Sequence, residues 1–376
     1  MAKILKLISI RTLKSTILNR LAKNEKLANK FKIFNKSIDY RKINGENILD
    51  IFDDKGEIFF AKKFSNIMVA QNTGCCLFKS ENSYKVIDNF EGNVHKNWVK
   101  FSWNNSLIKK LDAVCINLIG VHKGSKHYFH IFFDYFYPLI FLLKNYDFNN
   151  IALKILVRDD PNKVQKQLHE ILKENFPNIE FVYVKKNEFI QCQELIYFKH
   201  FHNAFYDHIR HKKIAQTMNF LRDIFLKKYQ ISSANASLGN NNKKLIYITR
   251  RKTRLRQTIN EKSLIENLLQ RGFEVIELEG LQLMQQIEIF YQAKLIIGTH
   301  GAGFTNLIFA SNDLVFLEIF SKKYGSKDFI RIANLLDLKR EEYRENNEFI
   351  WQYFYIHLNK IMPIIDQLIS RINEKK

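Results

Sequence analysis

Glycine and proline are scarce in this chain, 13 and 4 among 376 residues. That scarcity argues against collagen-like, linker-dominated and repeat architectures. Cysteine is scarce too: Cys75, Cys76, Cys115 and Cys192 include no C-x-x-C pair, so neither a zinc site nor a disulfide framework is indicated, and a reducing compartment fits. No apolar run reaches the roughly 20 residues of a membrane span; the most apolar stretch, residues 128–143, is interrupted by His130 and Asp134. Residues 1–26 mix Ile and Leu with Lys and Arg and lack both the continuous apolar core and the small-residue cleavage site of a secretory leader. They read as a basic amphipathic helix, either packed on the protein or lying on an anionic membrane surface. Negative charge is also short: 38 Asp+Glu stand against 59 Lys+Arg, a formal charge of +21. A balance this basic points to a polyanionic partner, whether nucleic acid, membrane surface or acidic substrate, or to a Lys-rich composition spread over solvated surface.

What is abundant is apolar: 46% of residues are hydrophobic, with 32 Phe and 16 Tyr. That is enough for real cores, and the length suggests two domains. Residues 56–88 read as a small β-meander. From residue 113 onward short β-rich runs alternate with helical ones. Strands are expected at 113–120, 155–158, 181–184 and 194–198, with helices at 128–146, 164–176 and 206–230. This is the pattern of a parallel sheet with crossovers. Residues 231–242, ISSANASLGNNN, read as a linker, which sets the expected domains at 1–235 and 243–376. The alternation then restarts. Strands are expected at 245–249, 273–278 and 295–297 and helices at 261–271 and 283–293, with Asn260 as N-cap and Gly272 as stop. Further helices are expected at 324–336, 351–360 and, after Pro363, 364–373.

The chemistry concentrates in residues 294–320. A buried strand runs through Gly298-Thr-His-Gly-Ala-Gly303 into a short helix, then into a second buried strand, 314–320. Glycines before a helix N-terminus let backbone approach an anion, although a tight turn with a satisfied His300 has the same look. The strand at 245–249 ends in Arg250-Arg251-Lys252-Thr253-Arg254-Leu255-Arg256. Parallel strands put both ends on one rim, where guanidinium groups facing a helix N-terminus suit a di-anion such as a pyrophosphate. Glu318 interrupts the apolar strand LVFLEIF. A buried carboxyl needs partners, either ribose hydroxyls or a nearby arginine. His130 and Asp134, four apart on the aromatic helix, share a face as either a structural pair or a base. His122, Lys123 and His127 are nearby polar groups.

Taken together these residues resemble glycosyltransferase family 61. Its Y-I-S-R-R…R-x-R…N-E pattern looks like Tyr247-Ile-Thr-Arg250-Arg251…Arg254-Leu-Arg256…Asn260-Glu261, and its G-F pair like Gly272-Phe273. Its A-x-x-I-I-G-x-H-G-A-G-x-T-N-x-x-F pattern corresponds to Ala293 through Phe309, and its apolar strand with one Glu to 315–319. Two departures stand out. Gln285-Gln286 replaces the family's E-Q, and the H-x-x-x-D-x-x-P helix appears as His130…Asp134…Pro138 with one extra residue before the proline.

The resemblance implies a GT-B fold, α/β, with two Rossmann-like domains facing across a cleft and the C-terminal helix crossing back. It implies an inverting glycosyltransferase that uses a nucleotide-sugar donor, expected to be a UDP-sugar, and a glycan or lipid-linked acceptor in cell-surface polysaccharide synthesis. Arg250, Arg254 and the backbone around Gly301, Ala302 and Gly303 would hold the donor diphosphate, His300 would lie near the phosphates or the sugar, Asn306 would belong to the same donor site, and Glu318 would hold the ribose. Asp134, or else His130, would be the base. No metal site, no cofactor and no nucleic-acid partner are expected, and the setting would be cytoplasmic or peripheral at the inner membrane face. The alternatives are a family member that binds the donor without turnover and a basic nucleic-acid-binding protein.

Overall fold

The computed structural model describes residues 33–34, 37–38, 43–53, 56–70, 74–80, 83–87, 99–100, 108–119, 127–148, 151–185, 188–198, 212–232, 244–253, 255–349 and 352–374. The amphipathic segment at 1–26, His122, Lys123, Arg254 and most of the expected linker lie outside these residues. The chain divides into two compact units, residues 1–126 with 133–205, and residues 127–132 with 206–376.

The first unit holds β1 (Ile33–Phe34), β2 (Ser37–Ile38), β3 (Glu46–Asp53), β4 (Gly56–Ala70), β5 (Cys76–Ser80), β6 (Ser83–Ile87), β7 (Val99–Lys100), β8 (Ile108–Asn117), β9 (Leu153–Arg158), β10 (Ile179–Val184) and β11 (Phe189–Phe198). β1 and β7 pair separately, and the other nine form one mixed sheet in the order β10-β9-β8-β11-β4-β5-β6-β2, with β3 also on β4. The expected meander is therefore one flank of the main sheet. The long β4 makes this possible, because it pairs antiparallel with β11 as well as with β3 and β5. β8, β9, β10 and β11 supply a run of parallel neighbours, and β2 and β6 form a further parallel pair.

Helix α1, residues 128–145, runs across the division between the units. It is α-helical over Tyr128–His130 and Tyr137–Asn145 but π-helical over Ile131–Phe136. A π turn accommodates one residue more than an α turn. It lies where the sequence carries one residue more than the family pattern between Asp134 and Pro138.

Helix α2 (Lys163–Asn175) opens with a capping box in which Asn162 and Gln165 each accept from the other's backbone N–H. It buries His169 against Phe181, ring centroids 4.0 Å apart, between the Tyr135 hydroxyl at 2.8 Å and the Tyr183 hydroxyl at 3.1 Å. Burial, with Lys173 adding to it, pulls the imidazole down to about 4. An unfolded histidine protonates near 6.5. Between those values the unfolded chain binds the extra proton, so stability falls on acidification. Between pH 7 and pH 4 the wild type should lose about 3 kcal/mol more than His169→Gln in pH-dependent denaturant unfolding; equal losses would contradict this.

The second unit adds α3 (Lys212–Lys228), β12 (Lys244–Ile248), α4 (Glu261–Leu269), β13 (Phe273–Ile276), α5 (Leu283–Gln292), β14 (Ala293–Thr299), a 3-10 helix (Ala302–Phe309), β15 (Val315–Phe320), α6 (Asp328–Leu335), β16 (Lys339–Arg344) and α7 (Leu358–Asn373). Its five strands are all parallel, in the order β13-β12-β14-β15-β16. Counted from β12 this is 2-1-3-4-5, a doubly wound sheet. The chain leaves β12 for one side and returns to the other, so the switch point lies between β12 and β14. The core gathers Tyr247, Leu295, Ile297, Leu317, Ile361 and Ile365. α3 belongs to this unit because Phe225 packs on Phe309, 5.1 Å between centroids. The division accordingly falls near residue 205 rather than at the serine- and asparagine-rich stretch.

Three expectations are revised. Residues 353–357 are extended rather than helical: Phe354 and Ile356 point inward by period two, and Phe354 bridges Thr258. Asn260 does not cap α4; its amide clamps Ile356, donating to the carbonyl at 2.8 Å and accepting from the N–H at 2.9 Å. Pro363 lies inside α7, which begins at Leu358. Gly272 does take the left-handed φ of +81° where α4 ends. Among the described residues, no helix is long and apolar enough to cross a membrane.

Candidate active site

β12 and β14 are neighbours, with Ile248 beside Gly298, so Arg250 and the 298–303 turn emerge on the same rim. The turn's glycines admit the protein's own groups. A Cβ on Gly301 would lie 1.8 Å from Arg250 Nη1, and one on Gly303 would lie 2.6 Å from Leu278 Cδ1. Arg250 is thereby laid across the backbone at the start of the 3-10 helix, whose first N–H groups have no intrahelical partner.

Glu261 fixes the root of Arg250. Its Oε1 accepts from the Tyr247 hydroxyl (2.8 Å), the Thr249 hydroxyl (2.8 Å) and the Arg250 N–H (3.3 Å). The guanidinium donates through Nη2 to the Leu255 carbonyl at 3.3 Å, but its Nε is buried with no hydrogen-bond partner. Arg256 repeats the arrangement. Its guanidinium lies 4.7 Å over the Tyr324 ring, its Nε is buried without a partner, and its φ of +61° is left-handed, a strained value for a non-glycine residue. Burial first, and Arg256 second, hold Arg250 down at about 10. Two cations are therefore held near each other with buried donors unspent. Such an arrangement is stabilised by an anion.

The next strand end carries His300. It is buried between Phe320, Tyr324 and Phe329, each with its ring centroid within 5.2 Å. Its Nδ1 lies 2.5 Å from Glu318 Oε1. The other oxygen of Glu318 accepts from Arg340, from Nη2 at 2.9 Å and Nε at 3.2 Å. Glu318 is fully buried, and both of its oxygens are engaged by protein groups. Of the two expectations for it, the pairing with an arginine is present, through Arg340.

Asn306 is an internal tie. Its Oδ1 accepts from the Tyr128 hydroxyl at 2.6 Å, and its Nδ2 donates to Gln286 Oε1 at 3.0 Å and to the Gly303 carbonyl at 3.1 Å. Burial raises the Tyr128 hydroxyl well above its ordinary range, so it remains a donor. Tyr128 and the Phe129–Phe329 contact at 5.8 Å hold the start of α1 onto the unit that carries the rim, and Phe329 in turn touches His300. His130 belongs to that segment, whereas Asp134, 1% exposed, belongs to the first unit. Gln285 accepts the Gln282 N–H at 2.9 Å in the capping box of α5, a task that needs no charge.

Arg340, Tyr324 and the roles of Arg256 and Glu261 were not assigned from the sequence. Arg256 and Glu261 stand in the family pattern, and that was the available signal. Arg340 lies in KREEYR, a charged edge strand with no apolar alternation, as edges that resist pairing tend to be.

A doubly wound sheet with Arg250 and Arg256 gathered at its switch point is an α/β fold of the kind that carries ligands at the carboxyl ends of its strands. A family model described as Glycosyltransferase 61 matches residues 128–317, just over half of the 376, and the chain belongs to that family. It is a glycosyltransferase. A search of curated proteins found no match.

Proposed function

We propose that the second unit binds a nucleotide-sugar, with a UDP-sugar as the expected donor, and that its sugar passes with inversion to a hydroxyl of a glycan or lipid-linked acceptor. In that displacement the acceptor oxygen attacks the anomeric carbon, and the bond to the phosphate oxygen breaks. The diphosphate leaves with the electron pair, and a base takes the hydroxyl proton. The observation that carries the reading is the pair Arg250 and Arg256, each with a buried, unpartnered Nε at the switch point. Arg250, Arg256 and the N–H groups at Ala302 and Gly303 stabilise the leaving diphosphate, supplying the positive charge for a metal-independent reaction. Arg254, in the same basic run, is assigned to the same anion.

For the base, the sequence favours Asp134, and the packing of residues 127–132 with the rim favours His130. The parallel strands and crossovers in each unit support the GT-B reading of two Rossmann-like halves. A cytoplasmic setting at an anionic membrane face, with a role in capsule or other surface polysaccharide synthesis, fits the charge of +21.

A thermal-shift panel of UDP-, GDP-, CMP- and dTDP-sugars tests the reading. One nucleotide class should stabilise the protein by about 2.7 kcal/mol at a hundredfold excess over Kd. An unmoved melting point across the panel would overturn it.

A further inference from the structure

β15 and β16 are parallel, with Phe316 beside Arg340 and Glu318 beside Glu342. Because side chains alternate along a strand, Glu318 and Phe320 share a face with Arg340, Glu342 and Arg344. The result is a row of alternating charge. Arg344 donates to Glu342 at 2.8 Å, Arg340 bonds Glu342 at 2.9 Å and Glu318 at 2.9 Å, and Glu318 meets His300 at 2.5 Å. The row is anchored by Arg344, whose guanidinium lies 4.6 Å over the Phe320 ring.

Resting on the diphosphate reading above, we propose that Arg340 is a positioning residue for His300: it fixes the Glu318 carboxylate so that His300 is locked with Nδ1–H inward and Nε2 presented to the phosphates of the donor. Arg340 takes only one oxygen of Glu318, through both Nε and Nη2, and so reserves the other for the imidazole. An ionised carboxylate only accepts hydrogen bonds, so Nδ1 must carry the proton that is shared with it. Nε2 then has no hydrogen-bond partner among the described residues, and the ring cannot turn away because Phe320, Tyr324 and Phe329 pack around it. A carboxylate behind an imidazole sets tautomer and direction together. Here the carboxylate itself is set by a guanidinium on an edge strand that lies beyond the matched residues 128–317. The charged and titratable groups that face the ring are Glu318, held from behind by Arg340, and Tyr324, over whose own ring Arg256 lies.

The test uses full-length protein labelled with 15N-histidine, with His300 assigned by its loss in His300→Gln, and inorganic pyrophosphate as the probe ligand. Wild type should show the Nδ1–H signature at His300. Arg340→Gln should shift it toward the other tautomer and weaken pyrophosphate binding about tenfold. Arg340→Lys, which keeps the charge and loses the planar fork, should restore the tautomer and most of the affinity. A purely structural Arg340 would lower the melting temperature in both variants and leave tautomer and affinity as in wild type; that result overturns the proposal. If wild type does not bind pyrophosphate, the diphosphate reading fails, and the tautomer comparison still decides what Arg340 does to His300.

Discussion

Gly301→Ala should fold like wild type and lose donor binding. Gly301 has a φ of −175°, extended backbone that alanine adopts without strain. Nothing in the main chain resists the substitution. The methyl group would instead occupy the place of Arg250, 1.8 Å from Nη1 and 2.8 Å from Cζ. A guanidinium at the end of a flexible side chain can swing away at the expense of one hydrogen bond, that to Leu255. The guanidinium would then no longer lie over the helix N-terminus, and the anion would lose its principal charged partner. Removing a charge-assisted contact from a desolvated site is worth about 3 kcal/mol, a loss of roughly a hundredfold in affinity. The ligand-free melting point should stay within about 2 °C of wild type while the nucleotide-induced shift disappears. A ligand-free protein that melts far earlier would mean that Gly301 serves folding and not the site.

Glu318→Ala should have the opposite profile, a large loss of stability. Its carboxyl is fully buried and joins His300 to Arg340, whose side chain is only 10% exposed. Truncation leaves a buried imidazole and a nearly buried guanidinium without their shared acceptor. Breaking a buried pair by removing one partner costs about 3–5 kcal/mol. The lower end is expected here, because Glu342 still meets Arg340 at 2.9 Å. Denaturant unfolding of the full chain should report about 3 kcal/mol. A loss below about 1 kcal/mol would mean that the pair contributes little beyond its geometry. Glu318→Gln keeps the shape and one acceptor, and should lie between the two.

The same two positions illustrate how far the sequence could be read. The glycine turn, the arginines after β12 and the isolated Glu318 were visible as a cluster, because parallel strands deliver their ends to one rim and a carboxyl inside LVFLEIF requires a partner. The partner of Glu318 was not visible. Arg340 comes from a strand whose only buried side chain is Tyr343, and hydrophobic periodicity gives no signal for such an edge. The turn's glycines were legible as places of close approach, but what approaches was not: the nearest atoms belong to Ile248 at Gly298, Arg250 at Gly301 and Leu278 at Gly303. Element types followed where apolar period and length agreed, as in β12, β14, β15, α2 and α5. Residues 353–357 misled because a run of aromatics suits a helix or an extended segment equally. The contact that decided it, Asn260 on Ile356, spans 96 residues. The π turn in α1 is local, yet it was anticipated only as a register mismatch at Pro138.

The central claim is that the carboxyl rim of the second unit is a diphosphate site built on Arg250. Calorimetric titration of UDP into wild type and Gly301→Ala, side by side under the same salt, tests it most directly. Saturable binding to wild type and an affinity lower by about a hundredfold in Gly301→Ala is the predicted result. Equal affinities would contradict it.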